Sequence, residues 1–460
     1  KSDQASPEYS RRLVALEFNE YSDPSLFAAT PPPKAMRYIV HRAATNREHG
    51  ERFSIMTMDV SRAYVNAVAT RDVFIEITKE DREPGDEAMV GKLRLCLYGT
   101  RDAAFNWSET VARQLEDSGY RRGKAFPAIY FNHEKNVAVM VHGDDYLCVG
   151  PEDALARLRE QISKTFEIKN SVIGLKEGME REGRFLNRII RVTQHGCELE
   201  ADQRHGELIV KDLGLEGTKG LSTPGVDEPD DENDLELTDW RLGQYRSLAA
   251  RANYLALDRP DLQFSVKELC RNMAKPTESS WRKLIRVGKY LARRPRLILR
   301  YPWQEEVKEL TVCSDANWAG CTRTRKSTSG GTMMIGDHLI KSYSKTQTNI
   351  ALSSAESEFY ASLKAAQEGL GVAALAKDMN HEVKIKVMVD ASAALGVAQR
   401  VRTSKIRHFQ TGAVWLQDQE LKKAIELEKV SGHEDNSEAM TKTVSRELLE
   451  KAHCVHGGVL

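Results

Sequence analysis

Two sets of carboxylates stand where apolar runs of this sequence end. In the first, Asp59 lies at the end of the run 53–60, and Asp144 and Asp145 sit between the runs 136–141 and 146–149. In the second, Asp315 follows the alternating stretch 310–314 and Asp390 follows 385–389, with Glu358 between them in the first turns of a helical stretch. Carboxylate oxygens are hard ligands, and Mg²⁺ takes one or two of them while keeping waters and substrate phosphate oxygens. Two such cations about 3.5–4 Å apart clamp the attacking and leaving oxygens of an in-line displacement. Each set therefore has the residue types for phosphodiester chemistry, either nucleotidyl transfer or hydrolysis by water. Each piece also has a plainer use. Gly143-Asp144-Asp145 is an ordinary hairpin turn, since Gly and Asp tolerate turn conformations, and a lone strand-end aspartate is commonly a cap.

The elements that must position these residues follow from periodicity. The stretches 53–60 and 73–77 are predicted strands, 105–118 is a helix stopped by Gly119, and 136–149 is a hairpin with a polar tip. The run 12–18 is a strand or a helix start, broken off by Thr30-Pro31-Pro32-Pro33. An amphipathic helix is expected over 151–166 and strands near 184–192 and 196–200. Gly, Pro and acidic residues mark a boundary over 214–233, helices dominate 240–292, and 294–302 is a second boundary. Strands at 309–314, 331–335 and 338–343, a helix at 354–379, a strand at 384–389 and a helix at 391–399 then describe an α/β unit.

The 67 basic and 67 acidic residues cancel, but their distribution does not. Between Trp281 and Arg300 there are eight Lys/Arg and no acid, whereas seven of the ten residues from Asp227 to Glu236 are acidic. Over 279–294 the apolar residues Trp281, Leu284, Ile285 and Leu291 share one helical face, and Arg282, Arg286, Lys289 and Arg293 recur every three or four residues on another. Such a row suits a phosphate backbone; a solvated charged face is the alternative. Ser353 and Glu356 have the Ser-x-x-Glu spacing of a capping box, which gives Glu356 a structural task distinct from that of Glu358.

Several of these stretches resemble the motifs of copia-type retrotransposon reverse transcriptases and their ribonuclease H. They are Arg11-Arg12-Leu13-Val14-Ala15, the segment from Met58-Asp59-Val60 to Asn66-Ala67, Leu97-Tyr98-Gly99-Thr100 to Trp107, and Val141-His142-Gly143-Asp144-Asp145. Further on come Tyr245-Arg246-Ser247-Leu248, Asp258-Arg259-Pro260-Asp261-Leu262, Ser314-Asp315-Ala316-Asn317-Trp318, Thr324 to Gly330, Ala351 to Tyr360 and Asp390 to Leu395. The resemblance implies an α+β multidomain fold, a right-hand polymerase followed by an α/β ribonuclease H-like domain. It places fingers and palm at 1–213, thumb and connection at 214–303, the ribonuclease H-like domain at 304–440 and a tail at 441–460. It makes Asp59 and Asp144 metal ligands assisted by Asp145, puts Arg11 and Arg12 near the incoming triphosphate, and sets Tyr64 beneath its sugar. Asp315, Glu358 and Asp390 would hold the nuclease metals, with Glu438 as the fourth carboxylate, Asp435 as its substitute and His433 aiding product release. Mg²⁺, two per site, or Mn²⁺, would serve both sites. The implied partners are an RNA template, a DNA primer and product, RNA–DNA hybrid and dNTPs, with protease and integrase parts outside this chain. The pattern departs from the family at His142 (usually Tyr), at Asp102 and Ala104 (usually Gln and Pro) and at Glu438 (usually Asp). Asp102 is expected to add negative charge where phosphates pass. A nucleic-acid-binding remnant without chemistry, and a chain in which only the nuclease works, remain the rival readings.

At 460 residues and 41% hydrophobic, the chain has material for two to four packed domains. No run of about 18 apolar residues predicts a membrane span. The polar start Lys1-Ser2-Asp3-Gln4 does not read as a signal peptide and suits a piece of something longer. Seven cysteines, at 96, 148, 197, 270, 313, 321 and 454, stand singly with no CxxC, which points to a reducing compartment. The resemblance implies a cytoplasmic, virus-like-particle location with a nuclear phase.

Overall fold

The computed structural model describes residues 13–18, 23–46, 52–227, 234–389, 396, 410–430, 437–455 and 457–459. Residues 13–18 form neither strand nor helix; Ala15 N–H donates to the Tyr98 carbonyl at 2.7 Å. The helix α1 (Pro33–Ala43) starts on the proline that ends the Pro run, because a proline at the first helical position loses no hydrogen bond.

The first sheet is built from β1 (Ser54–Val60), β4 (Arg121–Arg122), β5 (Ile129–Asn132), β6 (Val137–His142), β7 (Asp145–Gly150) and β8 (Ile168–Ile173). A small separate ribbon joins β2 (Phe74–Glu76) to β3 (Val90–Lys92). The strand order is β4-β5-β6-β7-β1-β8, antiparallel throughout. Side chains of β1 alternate between two cores, Ile55 on one face and Met56 and Met58 on the other. Helices α2 (Ala103–Asp117) and α3 (Glu152–Ser163) bury Trp107, Leu115, Leu158 and Ile162 against the second face. Helix α1 buries Tyr38, Ile39 and Val40 against the first. A sheet covered on both sides needs continuous apolar strands, which is why Val137-Ala138-Val139-Met140-Val141 carries no polar residue.

The expected strand near 184–192 is a hairpin, β9 (Glu182–Phe185) and β10 (Arg188–Thr193), turning at Leu186 and Asn187 in left-handed conformation. It continues into β11 (Gly196–Glu200). The stretch 294–302, expected as a boundary, contains β12 (Ile298–Pro302), which pairs with β11. β18 (Gly458–Val459) completes this sheet beside β12, and residues Arg446–Val455 form a helix, so the expected tail is folded.

The helical part comprises α4 (Gln203–Asp212), α5 (Asp239–Ala256), α6 (Gln263–Arg271) and α7 (Glu278–Arg293), joined around Leu248, Leu269, Leu284 and Tyr290. Within it Arg259 grips Asp261 through Nε at 2.9 Å and Nη2 at 2.6 Å, and Tyr290 donates its hydroxyl to the same carboxylate at 2.8 Å. Both charges are fully buried.

The third sheet has the order β15-β14-β13-β16-β17. β13 (Glu309–Asn317), β14 (Thr328–Ile335) and β15 (His338–Thr346) are antiparallel. α8 (Ser354–Asp378) crosses over to β16 (Lys384–Val389), parallel to β13, and the helix Gln410–Leu421 leads to β17 (Ile425–Lys429). The helix expected at 391–399 lies outside the described residues except for residue 396. The chain is thus α+β, with an antiparallel sheet flanked by helices followed by an α/β part of mixed sheet topology.

One apolar cluster runs from the first sheet through α1 to the third sheet and α8. Polar contacts follow the same route. His338 is held neutral, its pKa lowered to about 4 by burial. Its Nε2 lies 2.7 Å from the Pro302 carbonyl and donates to it, so Nδ1 accepts from His41 Nδ1 at 2.8 Å. The Asp378 carboxylate accepts from the backbone N–H groups of Lys124, Ala125 and Phe126 at 3.0, 3.0 and 2.8 Å.

Removing one partner of a buried pair strands the other charge. Asp261→Ala should therefore destabilise the chain by about 3–5 kcal/mol, read by urea unfolding. A change below about 1 kcal/mol would show that Arg259 finds other acceptors.

Candidate active sites

Strands β1 and β7 are neighbours in register, with Asp59 opposite Asp145. The turn between β6 and β7 is the two residues Gly143 and Asp144, with Gly143 at φ +65° as a tight hairpin requires. Val60 N–H donates to the Asp144 carbonyl at 3.0 Å, and the buried Trp107 of α2 donates its indole N–H to the Gly143 carbonyl at 2.7 Å. The turn is thereby fixed from both sides, and it carries Asp144 exposed and Asp145 half-buried beside Asp59. Burial, then the charges of Asp144 and Asp59, push the Asp145 carboxyl up to about 6, while His142 pulls it down. His142 is the cross-strand partner of Asp145, so this departure from the family pattern adds a cation at the site when protonated.

Tyr64 sits in the one-turn helix Ala63–Asn66 just after β1, led in by Arg62 in left-handed conformation. Its ring lies 4.6 Å from that of Tyr98. Burial, then Asp144 and Tyr98, raise its hydroxyl above the ordinary range, which sets Tyr64 beside the turn carboxylate. Arg11 and Arg12 lie outside the described residues. Asp102 corrects an expectation. It is 2% exposed, accepts from Arg71 Nη2 at 3.0 Å and from Asn106 Nδ2 at 3.0 Å, and so presents no free charge to a phosphate.

At the second set, Asp315 lies in β13 opposite Gly330 of β14. A Cβ on Gly330 would meet Met440 Cβ and Thr441 Cγ2 at 2.6 Å, so the segment 437–443 rests directly on the strand. From there Thr441 donates its hydroxyl to Asp315 Oδ2, with the Glu438 carbonyl as a second acceptor within reach. Sequence reasoning misses Thr441 as a site residue, since no local pattern reports its contact with Asp315. The Glu438 carboxylate is bound to Lys442 Nζ at 2.5 Å. α8 packs across β13, β14 and β16, and Glu358 stands half-buried in its second turn. The capping box is present: Ser353 Oγ accepts from Glu356 N at 3.2 Å. The Glu356 carboxylate reaches back one residue further than expected, to Leu352 N at 2.7 Å. Asp390, Asp435 and His433 lie outside the described residues.

Of the cationic row on α7, Arg282 and Arg293 are exposed, while Arg286 and Lys289 are partly covered by the segment after α4. Arg286 Nη2 donates to Thr223 Oγ1 at 2.9 Å, and Leu221 N–H donates to the Lys289 carbonyl at 3.2 Å.

Among the described residues no three His, Cys, Asp or Glu side chains form a ready-made metal cage. The donors at Asp59, Asp144 and Asp145 still fit Mg²⁺ in kind and in charge. They are hard oxygens, their mutual repulsion is evident at Asp145, and Mg²⁺ is ordinarily held by one or two carboxylates with phosphate completing the shell.

A carboxyl whose pKa is raised in the folded state adds stability below its unfolded value and loses it as pH rises through the folded one. Asp145→Asn should therefore melt higher than the parent at pH 7.5 without metal, and the gap should close below about pH 6. Mg²⁺ should raise the melting temperature of the parent more than that of the variant. A constant gap from pH 5 to 8 would separate Asp145 from its carboxylate neighbours.

Residues 1–225 match the family model described as reverse transcriptase (RNA-dependent DNA polymerase). Retrovirus-related Pol polyproteins from transposons RE2 and RE1 of Arabidopsis thaliana are each 25% identical over 459 residues, 97% of this chain and 30% of theirs. The corresponding polyprotein from transposon TNT 1-94 of Nicotiana tabacum is 22% identical over 463 residues, 96% of this chain and 33% of its own length. The chain thus spans about a third of the length of these three polyproteins. Among solved structures, a foamy viral protease-reverse transcriptase in complex with RNA/DNA hybrid aligns over 91% of this chain and 48% of that one, at 13% identity and a TM-score of 0.47. Residues 1–225 thus belong to the reverse transcriptase family, and over 96–97% of its length the chain is similar to the Pol polyproteins of copia-type retrotransposons.

Proposed function

We propose that the chain copies RNA and DNA templates into DNA at Asp59, Asp144 and Asp145, and cuts the RNA strand of RNA–DNA hybrids at Asp315, Glu358 and Asp390. The reading rests above all on the Asp59–Asp145 strand pairing, which crowds like charge at the end of the β1–β7 ladder. Bound Mg²⁺, or Mn²⁺, would supply Lewis-acid stabilisation of the transferring phosphoryl group. Asp59 and Asp144 would hold it, and Asp145 would add charge from behind. Tyr64, braced by Tyr98, would close the space under the sugar of the incoming dNTP and disfavour a 2′-hydroxyl. In the nuclease part Asp315 and Glu358 would bind metal, with Thr441 positioning the Asp315 carboxylate through its hydroxyl. Arg282 and Arg293, exposed on α7, suit a phosphate backbone. A second reading, nucleic-acid binding without chemistry, is favoured by one observation, the engagement of Glu438 by Lys442.

Primer extension on a primed RNA template, with Mg²⁺ and dNTPs, tests the first site. Asp144→Asn should abolish extension and leave hybrid cleavage within about twofold, since the two carboxylate sets lie on different sheets. Loss of both activities in a folded variant would refute separate sites, and no extension by the parent would favour the binding remnant.

Glu356 and Glu358 divide structure from chemistry on one helix. Glu358→Gln should eliminate Mg²⁺-dependent hybrid cleavage with little change in melting temperature. Glu356→Gln should keep most cleavage and cost at most about 1 kcal/mol through the cap. The reverse pattern would exchange their roles.

A further inference from the structure

Residues 13–18 lie across the turn 97–100 with little apolar anchorage: Leu16 and Phe18 are 85% and 82% exposed, and Leu13 and Val14 are exposed as well. Polar contacts hold the segment instead. Ala15 N–H donates to the Tyr98 carbonyl at 2.7 Å, and the Glu17 carboxylate accepts from the Arg101 N–H at 2.9 Å. The crossing is close. Gly99 has φ +95°, and a Cβ there would lie 2.0 Å from the Ala15 carbonyl oxygen.

One guanidinium ties this strap to the rest of the fold. Arg71 Nη2 donates to Glu17 Oε2 at 2.5 Å and to Asp102 Oδ1 at 3.0 Å. Asp102 stands at the start of α2 and accepts there from Asn106, whose amide oxygen accepts from the Thr70 hydroxyl at 3.1 Å. Three stretches distant in sequence thus meet at Arg71. The bonds to Glu17 and Asp102 raise the Arg71 pKa, and the bond to Arg71 lowers that of Glu17, so both ends of the tie stay charged. The aspartate at position 102, a departure from the family pattern, gives Arg71 a buried counter-ion from which it reaches Glu17. Tyr98, whose carbonyl the strap engages, places its ring 4.6 Å from that of Tyr64. A side chain that braces another is only as fixed as the backbone that bears it.

We propose that Arg71 is a positioning residue of the nucleotide pocket: by joining Glu17 to Asp102 it seats residues 13–18 on the turn that bears Tyr98, and so fixes Tyr98 as the support of Tyr64. Loss of the tie frees the strap, loosens the turn and lets the Tyr64 ring yield to a 2′-hydroxyl. Arg71 acts through the strap and Tyr98, not on the nucleotide itself. The role rests on the copying activity proposed above and bears on which sugar that site admits. Because the Arg71 side chain is 39% exposed, salt screens the tie.

Hydrogen exchange of the full chain and primer extension test this in parallel. Two variants cut the tie at different points: Arg71→Met, and Glu17→Ala, which leaves Asp102 paired with Arg71 and so guards against a folding defect. In each, the amides of residues 13–18 and 97–101 should exchange about two- to fivefold faster, as for loss of a partly exposed ion pair, while those of β1 keep the parent rate. In extension, KM for dNTP should rise more than kcat falls, and the preference for dNTP over rNTP should drop by a similar factor. Arg71→Lys, which keeps the charge, should return both readouts most of the way to the parent. Unchanged exchange in both variants overturns the strap, and faster exchange with unchanged KM and sugar preference overturns the positioning role. A parent that extends no primer overturns the copying reading instead. The tie is then judged by exchange alone, standing if residues 13–18 and 97–101 quicken in both variants and falling if they do not.

Discussion

Repulsion between carboxylates at the ends of adjacent antiparallel strands is the constraint around which the first half of the molecule is arranged. Asp59 and Asp145 are opposed by register, so neither can move away without breaking the ladder between β1 and β7. Trp107 holds the neighbouring turn through the Gly143 carbonyl, and two apolar cores clamp the sheet from both faces. The Asp145 carboxyl is raised first by its burial and then by the charges of Asp144 and Asp59, with His142 acting against them. On the function proposed above, a divalent cation at these strand ends would remove part of that cost.

The second carboxylate set is arranged by different means. Asp315 is borne by a central strand and engaged by the Thr441 hydroxyl, while Glu358 is borne by a helix whose first turn is closed by Ser353 and Glu356. The chain between these two regions, from α4 to α7, depends on the buried Arg259–Asp261–Tyr290 group, in which every charge is satisfied internally.

Much of this is legible in the residues. Runs with one clear period, such as Val137–His142 and the helix from Ala103, lie close to where alternation and helical spacing put them. Helix α1 is invisible to such patterns because its buried faces carry Arg37, His41 and Arg42, whose partners are supplied by distant carbonyls of Leu257 and Met379 and by His338. Strand β12 is hidden by the flanking prolines and arginines, and its pairing with β11 spans about a hundred residues that no local pattern reports. Asp102 misleads for the same reason: its neutralising partner Arg71 lies in a separate segment. At the second carboxylate set the helix cap can be read from Ser353 and Glu356, whereas the approach of Thr441 to Asp315 depends on the close backbone packing at Gly330 and cannot.

Helix α1 belongs to the cores of two sheets at once, packing on β7 and on β15. Its His41 and Arg42 bond to His338 and the Met379 carbonyl on the third-sheet side, and Arg42 also bonds to Asn136 on the first-sheet side, so the helix ties the two carboxylate-bearing parts together. On the function proposed above, one double strand serving both sites would run past this helix, whose fixed length would set a constant number of base pairs between them. The same helix that hides its polar residues from the solvent would then be the ruler of the molecule.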